Sequence, residues 1–208
     1  EHVGRMPKTL SFREAGAVAT TGLTALQGVK LLRQRKNATV LIFGATGAVG
    51  TIAVQLARNA GYRILATASG KSATSLVKKL GARGVLDARS KDIAEELRRL
   101  APAGIDGVLA FAGGDGLERC LDFVNKGGRV VHPNGVEPAP KARRSIKISA
   151  YDGVASPAQF AELTRLIDRA KLRVPIAAVY PLASADKAHR RLAQGHIDGR
   201  IVLRVHNL

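Results

Sequence analysis

The chain is poor in cysteine and in aromatic residues. Its 208 residues include one cysteine, three tyrosines, five phenylalanines and no tryptophan. A single cysteine, Cys120, excludes an internal disulfide framework and a zinc site built from several cysteines. Cys120 stands at helical spacing from Leu117, Leu121 and Val124. We therefore expect it to pack in the core rather than to act in catalysis.

The chain also lacks a segment typical of export or of membrane insertion. Nothing in it resembles a signal peptide, and glycines interrupt the most apolar stretch before it could span a bilayer. We expect a cytoplasmic protein that makes no contact with a membrane.

Acidic residues are scarce beside basic ones. The chain has 16 Asp and Glu against 33 Lys and Arg, which gives a net charge of +17 and a pI near 10.9. The basic pairs are spread along the chain: Lys78-Lys79, Arg98-Arg99, Arg143-Arg144 and Arg190-Arg191. This distribution favours a solvated basic surface. Contact with nucleic acid or an acidic partner is the alternative explanation of the charge.

From residue 39 onward, short apolar runs alternate with segments of helical spacing. The runs predict strands at 39–43, 63–67, 84–86, 105–111, 129–132 and 145–150. The segments between them include predicted helices over 72–80, 92–100 and 117–124. Crossovers between parallel strands are right-handed and need a helix to span them. The predicted fold class is therefore α/β, a doubly wound parallel (Rossmann) sheet flanked by helices.

The two ends of the chain read as helical additions to this sheet. Residues 1–36 form a predicted N-terminal helical segment, with capping-box spacing at Ser11 and Glu14 and a restart near Thr21. We expect this helix to run to Lys36 and residues 37–208 to form the main domain. In its last part we predict helices from Ser156 through 170 and from Ser184 to 195, then a strand at 199–205.

The stretch VLIFGATGAVG at residues 40–50 points most directly to chemistry. A strand that turns on glycines 44, 47 and 50 into a helix leaves bare backbone N–H groups beside a helix N-terminus, where a diphosphate fits. The spacing departs from G-x-G-x-x-G because Ala45 stands at the position of the first glycine. A plain strand–turn–helix crossover is the alternative interpretation.

Three further predicted strands also end in small or glycine-rich turns. These turns are Ser69-Gly70-Lys71, Ala112-Gly113-Gly114 and Pro133-Asn134-Gly135. In a parallel sheet the carboxyl ends of the strands meet at one edge, and ligands bind outside that edge. We therefore expect all four turns to line one groove.

The turn Ser69-Gly70-Lys71 bears on which dinucleotide the chain would bind. An NAD site usually has an acidic residue about 20 positions beyond the glycine turn, where it binds the ribose hydroxyls. Between Gly50 and Asp87 the chain has no acidic residue. Ser69 and Lys71 suit a 2′-phosphate instead, which predicts NADPH; a solvated surface lysine is the alternative for Lys71.

Several short motifs, in their order and spacing, carry a family resemblance. They are residues 10–15 (LSFREA), 21–26 (TGLTAL), the glycine turn, 80–82 (LGA), 127–131 (GGRVV), 188–192 (AHRRL) and 195–202 (GHIDGRIV). The chain resembles the medium-chain dehydrogenase/reductase superfamily in its zinc-independent, quinone oxidoreductase-like branch. The resemblance implies hydride transfer from NADPH to a quinone, enone or similar small-molecule substrate without a metal, and a homodimer through Ser145–Tyr151.

The resemblance also implies a set of cofactor-binding residues. Thr21 and Val49 would flank the nicotinamide, and Ala48 and Val49 would meet the pyrophosphate through their backbone. Ser69 and Lys71 fall in the 2′-phosphate region, although related sequences often carry that lysine slightly later, at the position of Ala73. The full expected site is Thr21, Gly44, Ala45, Thr46, Gly47, Ala48, Val49, Ser69, Lys71, Gly113, Gly114, Pro133, Asn134 and Gly135.

No catalytic residue is assigned from the sequence. In the family a barrel-like domain, ahead of the part that this chain resembles, supplies most proton donors and substrate contacts. His189 and His196 belong to the framework of the terminal helix and turn, so we do not expect either to act as a base. A catalytically silent NADPH-binding sensor or scaffold, with a basic surface for nucleic acid or an acidic partner, is the alternative function.

Overall fold

A computed structural model describes residues 3–195 and 197–205. Its helices are α1 (Phe12–Leu32), α2 (Ala48–Asn59), α3 (Lys71–Leu80), α4 (Ile93–Leu100), α5 (Asp115–Leu121), α6 (Pro157–Ala170) and α7 (Ala185–Ala193). Its strands are β1 (Thr39–Phe43), β2 (Arg63–Thr67), β3 (Gly84–Leu86), β4 (Ile105–Ala110), β5 (Val124–Pro133), β6 (Lys147–Tyr151), β7 (Ile176–Pro181) and β8 (Arg200–Arg204).

Six parallel strands form one sheet in the order β3-β2-β1-β4-β5-β6. The order reverses between β1 and β4, as in doubly wound sheets that bind dinucleotides at that point. This arrangement confirms the predicted α/β fold class.

Helices cover both faces of the sheet. Along β1 the side chains alternate, so that Val40 and Ile42 join a core cluster with α1, α2, α3 and α6, whereas Leu41 and Phe43 join a second cluster with α4 and α5. All four side chains are buried. Burial on both faces explains why the strand reads as an uninterrupted apolar run.

Helix α1 is continuous, so the predicted restart near Thr21 is wrong. The capping box at its start is confirmed: the Ser11 hydroxyl accepts from the Glu14 backbone N–H, and the Glu14 carboxylate accepts from the Ser11 N–H. Gly22 is needed for packing, because a Cβ there would lie 2.8 Å from a methyl of Leu163 on α6. The helix ends at Leu32, before the predicted Lys36, because Arg33 adopts the left-handed conformation.

The segment between β4 and β5 also differs from the prediction. The helix expected over 117–124 is α5, which starts earlier because Gly114, at φ 108°, begins its first turn. It ends before Val124 because the Phe123 carbonyl accepts from the Ile105 backbone N–H and so starts the pairing with β4. Strand β5 is therefore longer than the predicted 129–132 and includes a register shift.

Strand β7 is not predicted, and it changes the place of the last strand. β7 and β8 pair in parallel as a separate two-stranded sheet. The strand predicted at 199–205 is therefore confirmed as β8, but it lies outside the main sheet. Within the described residues no helix is long and apolar enough to cross a membrane.

Candidate dinucleotide site

The glycine turn joins β1 to α2, and its three glycines have different tasks. Gly44 has φ 80°, a conformation that favours glycine, and its N–H donates to the Thr67 hydroxyl at the end of β2 (2.8 Å). A Cβ on Gly50 would lie 2.2 Å from the Gly44 carbonyl oxygen, so α2 packs directly on the turn. A Cβ on Gly47 would meet no atom closer than 3.6 Å. Gly47 therefore leaves space at the outer side of the turn.

Four helices, α2, α3, α4 and α5, begin at this edge, and none of them has a side-chain cap hydrogen bond. Gly47 precedes α2 and Gly70 precedes α3, and neither can supply a capping side chain. By contrast Ser11 and Ser156 cap α1 and α6 through their hydroxyls. The first-turn N–H groups of α2 and α3 are thus free to donate hydrogen bonds to an anion, and the positive ends of the helix dipoles favour its binding.

The expected residues of the glycine turn differ in exposure. Thr46, Gly47, Ala48 and Val49 are half-buried at the edge, whereas Ala45 is fully buried. An alanine side chain at 45 therefore belongs to the core, and only its backbone could serve a ligand.

Thr21 lies in the middle of α1. Its side chain is buried, and its hydroxyl donates to the Ala17 carbonyl one turn earlier (3.0 Å). This hydrogen bond keeps the hydroxyl within its own helix.

At the end of β2 the structure adds a residue that was not expected. The Ser69 hydroxyl donates a short hydrogen bond to the carboxylate of Asp87, which follows β3. The Arg89 backbone N–H donates to the same carboxylate oxygen (3.0 Å). The Ser69 hydroxyl first, and then the Arg89 N–H, lower the pKa of Asp87. Lys71, the first residue of α3, is exposed and makes no salt bridge to any described residue.

The turns after β4 and β5 touch each other. A Cβ on Gly113 would lie 2.1 Å from the carbonyl oxygen of Pro138, so the backbone of Pro138 fills the space beside Gly113. The Asn134 side-chain amide donates to Asp152 (2.7 Å), and the Asn134 N–H donates to the Tyr151 carbonyl. Asn134 and Gly135 are exposed. The four turns thus follow neighbouring strands of the sheet and lie along one edge.

The C-terminal segment reaches this edge as well, which sequence reasoning missed. The Gly199 N–H donates to the Thr46 carbonyl (2.9 Å), and Gly199 and Gly47 form an isolated parallel bridge. Beside them lies a cavity of about 430 Å³, lined by Gly47, Ala48, Leu192, Ile197, Ile201 and the exposed His189. Gly195 and Gly199 signal a turn locally, but no local pattern shows which strand that turn will meet. His196 lies outside the described residues.

Neither cysteine nor metal chemistry is evident in the described part of the chain. Cys120 is fully buried as predicted, and burial raises the pKa of its thiol to about 12. No group of three or more His, Cys, Asp or Glu side chains that could hold a metal ion occurs in residues 3–195 and 197–205.

Comparison with known proteins identifies the family of the chain. A family model described as zinc-binding dehydrogenase matches residues 80–203, more than half of the chain. Mycocerosic acid synthase-like polyketide synthase of Mycobacterium tuberculosis is 33% identical over 97% of this chain, which spans only 10% of that protein.

Solved structures share the fold. An NAD-dependent alcohol dehydrogenase superposes with a TM-score of 0.87 and 31% identity over 97% of this chain and 61% of that one. A mycobacterial protein solved in complex with NADPH gives a TM-score of 0.82 and 25% identity over 97% of this chain and 67% of that one. The chain thus spans about three fifths to two thirds of these two structures.

Proposed function

Because this chain belongs to the zinc-binding dehydrogenase family, within the medium-chain dehydrogenase/reductase superfamily of oxidoreductases, we propose that it binds NADPH for a zinc-free reductase. The reaction would transfer hydride to a quinone, enone or similar carbonyl compound. The observation that carries the proposal is the shared edge: the open glycine turn and the uncapped starts of α2 and α3 lie side by side. A dinucleotide needs both, one for its diphosphate and one for its adenosine ribose.

Each part of the edge has a defined task in this proposal. The first N–H groups of α2 hold the diphosphate, and the space beside Gly47 lets it approach the backbone. The Lys71 ammonium group pairs with the 2′-phosphate at the start of α3. Val49 and Thr21 flank the nicotinamide, while Gly113, Gly114, Pro133, Asn134 and Gly135 line the groove. The bound nicotinamide supplies the hydride, and we assign no proton donor.

A titration of NADPH and NADH, followed by nicotinamide fluorescence, tests the proposal. We expect the wild-type chain to bind both and to favour NADPH. Lys71→Ala should lower the NADPH affinity about tenfold and leave the NADH affinity unchanged, because a charge-assisted hydrogen bond to the 2′-phosphate is lost. Lys79→Ala, at the far end of the same helix, is the control. Unchanged NADPH preference in Lys71→Ala would remove Lys71 from the site.

A homodimer through Ser145–Tyr151 is part of the proposal. Strand β6 pairs with β5 alone within the described sheet, so its outer backbone edge is open to a second copy. Light scattering at working concentration should give twice the chain mass; a monomer would contradict the proposed dimer.

We also propose that the protein is located in the cytoplasm.

A second candidate function rests on a basic groove formed by Arg58, Lys79, Lys171 and Arg173. The groove has a volume of about 600 Å³ and lies where α2, α3 and α6 end, at the opposite edge from the glycine turn. None of the four cations makes a salt bridge within the described ranges. Gln55 holds the groove in shape, since its side chain bonds both the N–H and the carbonyl of Arg173. A scaffold that contacts a polyanion would use this surface.

A further inference from the structure

Asp87 lies beside the expected 2′-phosphate position although it is 18 residues from Ser69 in sequence. Strands β2 and β3 are parallel neighbours, with Thr67 opposite Leu86, so the residues that follow them emerge together. Asp87 therefore lies next to the end of β2, the part of the fold from which an acidic residue binds the ribose hydroxyls in an NAD site.

The hydrogen bond between the two residues changes what Ser69 can do. A serine hydroxyl has one proton to donate. Here that proton goes to the Asp87 carboxylate. Ser69 cannot donate to a phosphate while this bond is intact, so it offers a phosphate only the lone pairs of its oxygen.

The charges around this pair are mixed. Glu96 accepts weakly from the Asp87 backbone N–H (3.4 Å), which places a second carboxylate close by. Arg89 is close enough to lower the pKa of Asp87, but its side chain is exposed. Lys71 is the cation at the start of α3. Attraction by Lys71 and Arg89 thus competes with repulsion from two carboxylates. Of these, Asp87 is bonded directly to Ser69, the expected phosphate ligand.

We infer that Asp87 is a specificity-determining residue that weakens the preference for NADPH, by withholding the Ser69 proton and placing a negative charge beside the 2′-phosphate. The inference rests on the proposed dinucleotide function. It implies that the wild-type site accepts NADH as well as NADPH and discriminates between them only modestly. Lys71 then favours the phosphorylated cofactor and Asp87 opposes it.

The test compares dissociation constants of NADPH and NADH for wild type, Asp87→Asn and Glu95→Gln, by nicotinamide fluorescence at low and high salt. Glu95, exposed on α4, is the control for loss of one negative charge. Asp87→Asn should raise the ratio of the NADH to the NADPH dissociation constant about threefold to tenfold at low salt, and less at high salt, because the pair is partly exposed. Glu95→Gln should leave the ratio within about twofold.

A double-mutant cycle isolates the role of the hydroxyl. Ser69→Ala should hardly change NADPH affinity in the wild-type background, where the proton is committed to Asp87. In an Asp87→Ala background the hydroxyl is free, so the same substitution should weaken NADPH binding about threefold or more. Thermal unfolding of each variant checks that the fold is kept.

The outcomes separate the inference from the function on which it rests. If the wild type binds both cofactors but Asp87→Asn leaves the ratio unchanged, the role of Asp87 is overturned and the dinucleotide function stands. If the wild type binds neither cofactor, both are overturned.

Discussion

At the residue scale, Gly47 and Gly50 stand three positions apart, but Gly50 is needed for packing and Gly47 for space beside the turn. Gly50→Ala would push a methyl group into the Gly44 carbonyl at 2.2 Å, so either the turn or α2 must shift. We expect a loss of about 1–3 kcal/mol in the free energy of unfolding, measured by chemical denaturation. An unchanged unfolding midpoint in Gly50→Ala would contradict the close packing of α2 on the turn.

Gly47→Ala should act on the ligand rather than on the fold. Its φ of −70° suits any residue, and the added methyl group meets no protein atom within 3.5 Å. Stability should stay within about 0.5 kcal/mol of wild type. NADPH affinity should fall, because the methyl group occupies the space where the diphosphate approaches, and the titration described above measures this. If Gly47→Ala bound NADPH with wild-type affinity, the diphosphate would have to bind at another place.

At the scale of elements, the contact between β8 and the glycine turn depends on Gly199. Its φ is 111°, and a Cβ would lie 2.4 Å from the Pro175 carbonyl oxygen. Gly199→Ala should therefore displace the start of β8 from Thr46, lowering both stability and NADPH affinity.

Gly127→Ala is the matched control for this variant. Gly127 also has a positive φ, 80°, but open space around its Cβ position. It should lose about 1 kcal/mol of stability through backbone strain alone, with unchanged cofactor affinity. Equal affinities in the two variants would show that the β8 contact does not shape the site.

At the scale of the whole molecule, the net charge is +17, and four basic side chains cluster in the basic groove formed by Arg58, Lys79, Lys171 and Arg173. If the groove binds a polyanion, Lys79→Glu with Arg173→Glu should weaken binding of a labelled single-stranded RNA far more than Lys126→Glu with Arg165→Glu. With four phosphate contacts, wild-type affinity should fall up to about fifty-fold between about 50 and 200 mM salt. Equal losses in both double variants would attribute RNA binding to net charge.

The local patterns of the sequence were sufficient for much of this protein. The alternation of apolar runs and helical spacing predicted the six strands of the main sheet, and the signal is strongest in β1, β2 and β4, which are buried on both faces. The caps at Ser11 and Ser156 were also readable, since a cap bonds N–H groups within three residues of itself. The glycine turn was visible for the same reason, since its three glycines lie within one short stretch, from the end of a strand to the first turn of the helix that follows it.

Tertiary structure alone decided the features that join distant parts of the chain. Three features depend on which strands become neighbours. They are the hydrogen bond between Ser69 and Asp87, the hydrogen bond between Gly199 and Thr46, and the separate sheet of β7 and β8. Gly22 shows the same limit: it lies next to the predicted restart at Thr21, but in the structure it allows the close packing of α1 against Leu163 on α6. Side-chain spacing determines which face of an element is buried, but the partner across that face is selected by the packing of the whole chain.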